Sequence, residues 1–158
     1  MTARPASTAA TPWFVPVLNA PASLMLRLGV PMGYNGLITI PGRTSGLPRT
    51  TPVAIIEIDG RRWIWCPWGE AHWVRNLRAA GEATITVRKR EEAVRARELD
   101  DDERVAFFRD VMGPLARRIP LGTTFLRLVD GIDVNDPAGA AKGHPAFELL
   151  PEAGVSDR

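Results

Sequence analysis

The chain has 158 residues, a net charge of +2 and a single cysteine, Cys66. Its length predicts one domain that buries its own core, and a lone cysteine excludes an internal disulfide. Acidic and basic residues are interspersed, as in EEAVRARELDDDER, so the dense basic stripe of a nucleic-acid-binding protein is missing and we expect no nucleic-acid partner.

Residues 1–20 are predicted to be a disordered or groove-covering N-terminal segment, because their start is rich in Ala, Thr and Ser. The apolar stretch over residues 13–32 is interrupted by prolines and Arg27, so we expect no transmembrane span. It also lacks the layout of a secretory signal, and the expected location is the cytoplasm. Peripheral contact with the inner face of the cell membrane stays open. A brief helix is predicted over residues 22–29.

Strand signals begin with GLITI, residues 36–40. The segments PVAIIEI (52–58) and RRWIWCP (61–67) flank Asp59-Gly60, a strong two-residue hairpin signal. Cys66 lies in the second of these segments, where its apolar neighbours predict a buried, inert thiol.

A helix is predicted over EAHWVRNLRAAG, residues 70–81, with Gly81 as its C-terminal cap. Its apolar residues repeat at i, i+4 and i+7 and are Trp73, Leu77 and Ala80. The next segment, EATITVR (82–88), alternates apolar and polar residues as a strand does. EEAVRAREL (91–99) is its expected hairpin partner across Lys89-Arg90.

A second helix is predicted from Asp100. The acidic run Asp100–Glu103 complements the helix dipole, so we interpret it as capping and not as a metal site. Gly113-Pro114 is expected to break or end this helix. A mixed region with a loop over residues 135–145 follows, and FELL (147–150) is a short closing strand.

Hairpins dominate this order of elements over βαβ units. The pattern therefore predicts an α+β fold, a small barrel of about six mainly antiparallel strands with peripheral helices. We expect residues 21–151 to form this domain and residues 152–158 to be a tail.

The run PGRTSGLPRTTPV, residues 41–53, is the strongest candidate for a binding loop. Gly42 and Gly46 permit positive φ and a close approach of the backbone, whose N–H groups can converge on an anion. Arg43 and Arg49 add forked donors that fit phosphate or carboxylate oxygens. The composition predicts an anion-binding loop, and an ordinary Gly/Pro-rich connection with two solvated arginines is the equal alternative.

Two neighbouring features could complete such a site. A Pro67-Trp68-Gly69 turn leads into the helix, whose first N–H groups are free to bind an anion. Arg75 and Arg78 follow at i and i+3, and for either one alone a solvated helix face is the better interpretation.

No nucleophile–base constellation is visible in the sequence. Tyr34 and His72 are the candidate catalytic side chains, and both also suit simple packing or solvent-facing roles. His72 and His144 stand alone, so we expect no metal site. With so few acid–base groups, we expect any chemistry to belong to a bound cofactor.

Three segments in register, GRTSGLPRTTPV, WGEAHWVRNLRAAGEATITV and HPAFELLP, resemble the deazaflavin-dependent nitroreductases of actinobacteria. The similarity runs from about residue 22 to residue 151. It implies a split β-barrel related to the flavin-binding, pyridoxamine-oxidase-like barrels. It also implies that reduced coenzyme F420 lies in a groove of the barrel and passes hydride to a quinone, a nitro compound or another activated apolar acceptor.

The resemblance also implies which residues bind the cofactor. The family's phosphate-contacting Arg-x-x-Gly-x-x-Arg pattern matches Arg43, Gly46 and Arg49, with Thr44 and Ser45 as hydroxyl donors. The segment that closes over the deazaflavin ring matches Pro67, Trp68 and Gly69, and the adjacent helix contributes Trp73, Arg75, Asn76 and Arg78. The phosphodiester and glutamate tail of F420 suit these basic groups.

This chain departs from the family pattern in three ways. Some members have a lysine in place of Thr44, and some a longer Ser-Lys-Gly turn in place of Pro67-Trp68-Gly69, so positive charge is lost here. Several relatives place tyrosines over the substrate pocket, where this chain offers Phe125, Leu126 and Leu128. These apolar residues imply a more apolar pocket and a proton that comes from solvent.

Three functions remain open at this point. The first is an F420H2-dependent oxidoreductase acting on a small apolar acceptor. The second is a fatty-acid or lipid carrier on the same barrel, favoured by the apolar N-terminal segment and by Thr44. The third is a sibling that binds FMN. Related barrels occur as monomers and as dimers, so a monomer or a homodimer is expected.

Overall fold

The computed structural model describes residues 35–118, 120–127 and 131–152. Its strands are β1 (Asn35–Pro41), β2 (Pro48–Ile58), β3 (Arg61–Trp65), β4 (Glu82–Val87), β5 (Arg90–Glu98) and β6 (Ala146–Pro151). They form a closed barrel in the order β1-β2-β3-β6-β5-β4, and each neighbouring pair is antiparallel. The predicted split β-barrel is confirmed. The N-terminal segment 1–20 and the helix predicted over 22–29 lie outside the described residues.

The helices lie in the two long connections of the barrel. They are α1 (His72–Ala80), α2 (Asp101–Phe107), a π-helical turn (Phe108–Met112), α3 (Gly113–Arg118), α4 (Gly122–Phe125) and α5 (Pro137–Ala141). Of these, α1 joins β3 to β4, and the others lie between β5 and β6. None of the helices in the described ranges has the length and apolar character of a membrane-spanning segment.

The two short hairpins use left-handed backbone at both turn residues. Asp59 and Gly60 have φ of 52° and 75°, as the Asp-Gly signal predicts. In the second hairpin Arg88 and Lys89 occupy the turn, with φ of 48° and 67°. The predicted Lys89-Arg90 turn is wrong by one residue, because Arg90 already pairs with Val87 as the first residue of β5.

Side chains that alternate along the strands build two apolar layers. In β3, Ile64 joins the barrel interior, whereas Trp63 and Trp65 face the helices between β5 and β6. There the Trp63 and Trp65 rings lie 6.1 Å from those of Phe107 and Phe108, respectively. The barrel therefore has a packed interior and an aromatic outer layer that anchors the helices.

The predicted Gly113-Pro114 break is wrong, because the helical path continues through it as α2, the π turn and α3. The Gly113 N–H donates to the Phe108 carbonyl five residues earlier, and this wider turn leads into Pro114. Pro114 then lies in the first turn of α3, where its missing N–H costs little. The prediction that residues 135–145 form a loop is also wrong in part, because α5 lies within this range.

The predicted caps are confirmed. Asp100 accepts a hydrogen bond from the Glu103 N–H, and the Glu103 carboxylate accepts one from the Asp100 N–H, which together form a capping box. Gly81 ends α1 in the left-handed conformation, with φ of 71°, and donates to the Leu77 carbonyl. These caps fix where α2 begins and where α1 ends.

Candidate functional site

The connection between β1 and β2 is a tight loop, Gly42–Leu47. The Gly42 N–H donates to the Leu47 carbonyl at 2.9 Å, and the Gly46 N–H donates to the Gly42 carbonyl at 2.8 Å. Gly46 has φ of 70°, which favours glycine. The loop is shorter than the run predicted from sequence, because Pro48 and the residues after it already belong to β2.

Two backbone N–H groups of this loop have no hydrogen-bond acceptor among the described residues. The N–H groups of Thr44 and Ser45 make no hydrogen bond to any residue of the described ranges. The Ser45 hydroxyl accepts from the Leu47 N–H at 3.2 Å, which fixes the turn beside them. Adjacent free N–H groups on a fixed turn are a site of partial positive charge where an anion can bind.

The first turns of α1 lie opposite this loop. His72 and Asn76 are one turn apart on the helix, so their side chains share a face. Asn76 reaches the loop directly, because its Oδ1 accepts from the Arg43 N–H at 3.2 Å and from Arg43 Nη1 at 2.8 Å. Trp73 lies beside them, with its ring centroid 6.3 Å from that of Phe147 in the barrel.

Loop and helix enclose a cleft of about 730 Å³. Its lining residues are Ile40, Gly42, Arg43, Thr44, Ser45, Pro48, Arg49, Thr50, Thr51, His72, Trp73 and Asn76. This set holds two arginines and four hydroxyl side chains, and no Asp or Glu is among the lining residues that the structure describes. The cleft is therefore positively charged and rich in hydrogen-bond donors.

No acid of the described residues neutralises the charge of Arg43 or Arg49. Within residues 35–118, 120–127 and 131–152, no carboxylate oxygen lies within 4 Å of either guanidinium. By contrast, Arg62 is bound to Glu92 at 2.6 Å. An arginine without an acidic partner, at the edge of a cleft, is available to an anionic ligand.

A slightly larger cavity, of about 780 Å³, has a different lining. It has an apolar part and a charged part, formed by Ile55, Glu57, Arg62, Ile85, Val87, Arg88, Arg90 and Glu92. The hydrogen bond from Arg62 holds the pKa of Glu92 below its usual value, so this carboxylate stays ionised beside the cavity. Because acids contribute to this lining, the smaller cleft is the better candidate for a polyanion.

Some predicted site residues lie outside the cleft lining. Gly46 faces a neighbouring cavity of about 320 Å³, on another side of the loop. The half-buried turn Pro67-Trp68-Gly69 precedes α1, and Gly69 has φ of 70°. A Cβ on Gly69 would lie 3.2 Å from the Gly143 carbonyl, so this turn packs closely against the loop before β6.

The two helix arginines, Arg75 and Arg78, are also not among the lining residues. Arg78 donates to both oxygens of Glu98 at 2.7 Å and to those of Glu70 at 2.9 and 3.0 Å. These hydrogen bonds raise the pKa of Arg78. The bonds that Glu70 accepts from Arg78 lower the pKa of the Glu70 carboxyl group. Arg75 lies 3.9 Å from Glu70. The charge of Arg78 is thus matched by two acids.

The remaining candidate residues lie outside the described residues or away from the cleft. Tyr34 and Leu128 lie outside the described residues, as does the side chain of Phe125. Leu126 is buried in the outer apolar layer and does not line the cleft. Sequence reasoning assigned no role to Thr50 and Thr51, which line the cleft from β2. Their position directly after Arg49 in the motif is the signal that could have identified them.

Comparisons with known proteins are consistent with this architecture. A family model described as F420H(2)-dependent quinone reductase matches residues 25–117, more than half of the chain. No curated protein sequence matches the chain significantly. Among solved structures, an F420-H2 dependent reductase (FDR-A) is 18% identical with a TM-score of 0.49, over 73% of this chain and 93% of that one.

Two further structures resemble the fold. The heme storage protein HutZ from Vibrio cholerae is 14% identical with a TM-score of 0.53, over 85% of this chain and 90% of that one. Atu2129 from Agrobacterium tumefaciens, of unknown function, is 19% identical with a TM-score of 0.50, over 94% of this chain and 60% of that one. These likenesses concern the fold alone. Through its match to the family model, the chain belongs to the F420H(2)-dependent quinone reductase family, oxidoreductases whose cofactor is coenzyme F420.

Proposed function

We propose that the cleft between the β1–β2 loop and α1 holds the phosphodiester of F420, and that the protein passes hydride from F420H2 to a quinone or another activated apolar acceptor. The observation that carries this proposal is the set of hydrogen-bond donors around the cleft whose positive charge no carboxylate of the described residues neutralises. Arg43, Arg49 and the N–H groups of Thr44 and Ser45 converge on a lining in which the described residues include no carboxylate.

The loop fits a phosphodiester in chemistry and in space. The forked guanidinium groups of Arg43 and Arg49 match its oxygens, and the free N–H groups add neutral donors. Gly42 keeps the turn compact, because a Cβ there would lie 2.9 Å from Ser45 Oγ.

The ring end of the cofactor is proposed to lie toward α1. When bound, F420H2 supplies the hydride. Trp73, braced by Phe147, offers a rigid apolar wall that orients a planar ring and excludes water. We retain the proposal that Pro67-Trp68-Gly69 closes over this ring, because the turn leads directly into α1.

The accompanying proton has two proposed sources, the His72 imidazole in the cleft or solvent. Replacing His72 by Gln keeps a polar side chain and removes the titratable group. A slower reduction of the acceptor with unchanged F420 affinity would assign the proton to His72. An unchanged rate would assign it to solvent.

Steady-state oxidation of F420H2, followed by its absorbance, tests the proposal. We expect turnover with menadione as the quinone probe and a lower rate with a nitroaromatic probe. Arg49→Ala should raise the apparent KM for F420H2, whereas Arg90→Ala, at the 780 Å³ cavity, is the matched control and should not. F420 binding without turnover of any quinone would contradict the proposed acceptor.

Membrane contact and oligomeric state remain predictions. Quinones reside in membranes, so we propose peripheral contact with the membrane's inner face as the minor alternative to a groove-covering role for the N-terminal segment. Sedimentation with liposomes tests it: pelleting that is lost on deleting residues 1–20 would support membrane contact. Analytical ultracentrifugation separates monomer from homodimer.

A further inference from the structure

We infer that Asn76 is a positioning residue, which holds the Arg43 guanidinium in place for an anion without neutralising its charge. This inference rests on the proposed function and deepens it. It gives Asn76 a role through Arg43, distinct from the direct contact with the cofactor that the family resemblance implies.

The geometry of Asn76 is unusual for a cleft residue. Only 7% of its surface is exposed, yet its carboxamide oxygen accepts two hydrogen bonds from one exposed residue. The Arg43 N–H donates at 3.2 Å and Arg43 Nη1 at 2.8 Å. Both ends of Arg43, its peptide and its tip, are therefore tied to the same buried atom.

This double contact restricts the exposed side chain of Arg43. Arginine loses much rotamer entropy when a ligand immobilises it, and ordering it before binding removes that cost from the binding step. Asn76 is itself fixed, because it lies on α1 between Val74 and the fully buried Leu77. The Arg43 guanidinium is thus held, through Asn76, by a helix that is itself packed against the barrel core.

The Asn76 carboxamide is an uncharged acceptor, and its lack of charge matters as much as its position. A carboxylate at position 76 could also accept hydrogen bonds from the guanidinium, as Glu98 accepts two from Arg78 in this chain. It would also cancel the positive charge of Arg43. Asparagine provides the orientation and leaves the charge for a ligand.

A double-mutant cycle with F420 as the ligand tests the inference. Fluorescence titrations would compare the wild type with Asn76→Ala, Arg43→Ala and the double variant. We expect Asn76→Ala to weaken binding about tenfold in the presence of Arg43 and less than about twofold in its absence. Equal losses in both backgrounds would overturn the inference, because Asn76 would then contact the ligand itself or support the fold generally.

Asn76→Asp separates orientation from charge. We expect it to unfold at a temperature close to that of the wild type and yet bind F420 at least as weakly as Asn76→Ala. Wild-type affinity in this variant would contradict the role of the neutral acceptor.

A measurement on the ligand-free protein tests the inference independently of the proposed function. In 15N NMR spectra of the free protein, the guanidinium signals of Arg43, identified by their loss in Arg43→Ala, should exchange slowly with water in the wild type and rapidly in Asn76→Ala. Equally rapid exchange in both would overturn the inference. Slow exchange in a wild type that binds no F420 would leave the pairing supported and count against the proposed function alone.

Discussion

Arg78 donates two hydrogen bonds to Glu98, each 2.7 Å long, and so ties α1 to β5. Glu70, just before the helix, accepts two more from the same guanidinium. An arginine with this many acidic contacts has little capacity left for a ligand. We therefore expect Arg78 to stabilise the packing of α1 against β5, and we propose that Arg43 and Arg49 bind the anion.

Replacing Arg78 by Ala should affect stability more than binding. The network is partly exposed to solvent, so we expect a loss of about 1 kcal/mol in the free energy of unfolding. F420 affinity should change by less than about twofold. Urea denaturation measures the change in stability, and a fluorescence titration measures the change in F420 affinity. A tenfold loss of affinity would contradict this expectation and support the prediction that Arg78 binds the cofactor.

Gly46→Ala should weaken both stability and binding. The position has φ of 70° and no atom within 4 Å of an added Cβ, so the cost of about 1 kcal/mol comes from the backbone alone. Because the strained loop would leave its binding conformation more often, F420 affinity should fall by up to about fivefold. Urea denaturation and an F420 titration measure the two effects.

Gly60→Ala is the matched control for this variant. It has φ of 75°, equally open space and a hairpin position outside the cleft lining. It should cost similar stability with unchanged F420 affinity. If both variants weaken binding equally, the loop has no special role.

Stability at acid pH should depend on Glu148. The residue is 7% exposed, and hydrogen bonds to its carboxylate from Arg61 and then Arg97, each 2.8 Å long, hold its pKa below the usual value. The stabilisation it provides is therefore present above the unfolded pKa of about 4.3 and is lost as the pH falls through the folded pKa.

Glu148→Gln tests this dependence. At pH 7 we expect the variant to lose about 1.5–3 kcal/mol in the free energy of unfolding, the range for hydrogen bonds to charged groups. The difference from the wild type should shrink as the pH is lowered below about 4. Urea denaturation at both pH values measures it. A difference that stays constant with pH would show that the ion pairs contribute nothing.

The Cys66 thiol should be unreactive in the folded protein. It is fully buried, and burial raises its pKa against the opposing effect of the Trp68 and Ala71 backbone. Because the thiolate is the reactive form, labelling with a disulfide reagent at pH 8 should be slow in buffer and rapid in denaturing urea. Rapid labelling of the native protein would contradict the burial of Cys66.

The sequence predicts the barrel well where turn chemistry is explicit. Asp59-Gly60 marks its hairpin because both turn residues need positive φ and Gly supplies it without strain. The Arg88–Lys89 turn carries no such residue, so its position could be predicted only to within one residue. The cross-strand pair Val87 and Arg90 decides the register there, and that pairing is a tertiary contact.

Gly113-Pro114 shows a different limit. Local propensity predicts a break, but burial of Phe108 and Met112 against the barrel holds the helical path together through a π turn. Tertiary packing thus overrides the local preference.

The candidate site could be predicted only in part, because some of its residues are neighbours in sequence and others are brought together only by the fold. The loop residues Arg43, Thr44, Ser45 and Arg49 are neighbours in sequence, and the structure brings them together with Trp73 and Asn76 around the cleft. The pairing of Arg78 could not be predicted, because its acceptor Glu98 is 20 residues away. Spacing on a helix shows which side chains share a face, and it does not show which acids reach them.

The most direct test of the account is a fluorescence titration of F420, with FMN as the control ligand, into the wild type, Arg49→Ala and Arg90→Ala. The account predicts micromolar or tighter binding of F420 to the wild type and to Arg90→Ala, binding about 10- to 100-fold weaker to Arg49→Ala, and weaker binding of FMN. Absence of F420 binding to the wild type, or unchanged affinity in Arg49→Ala, would contradict it.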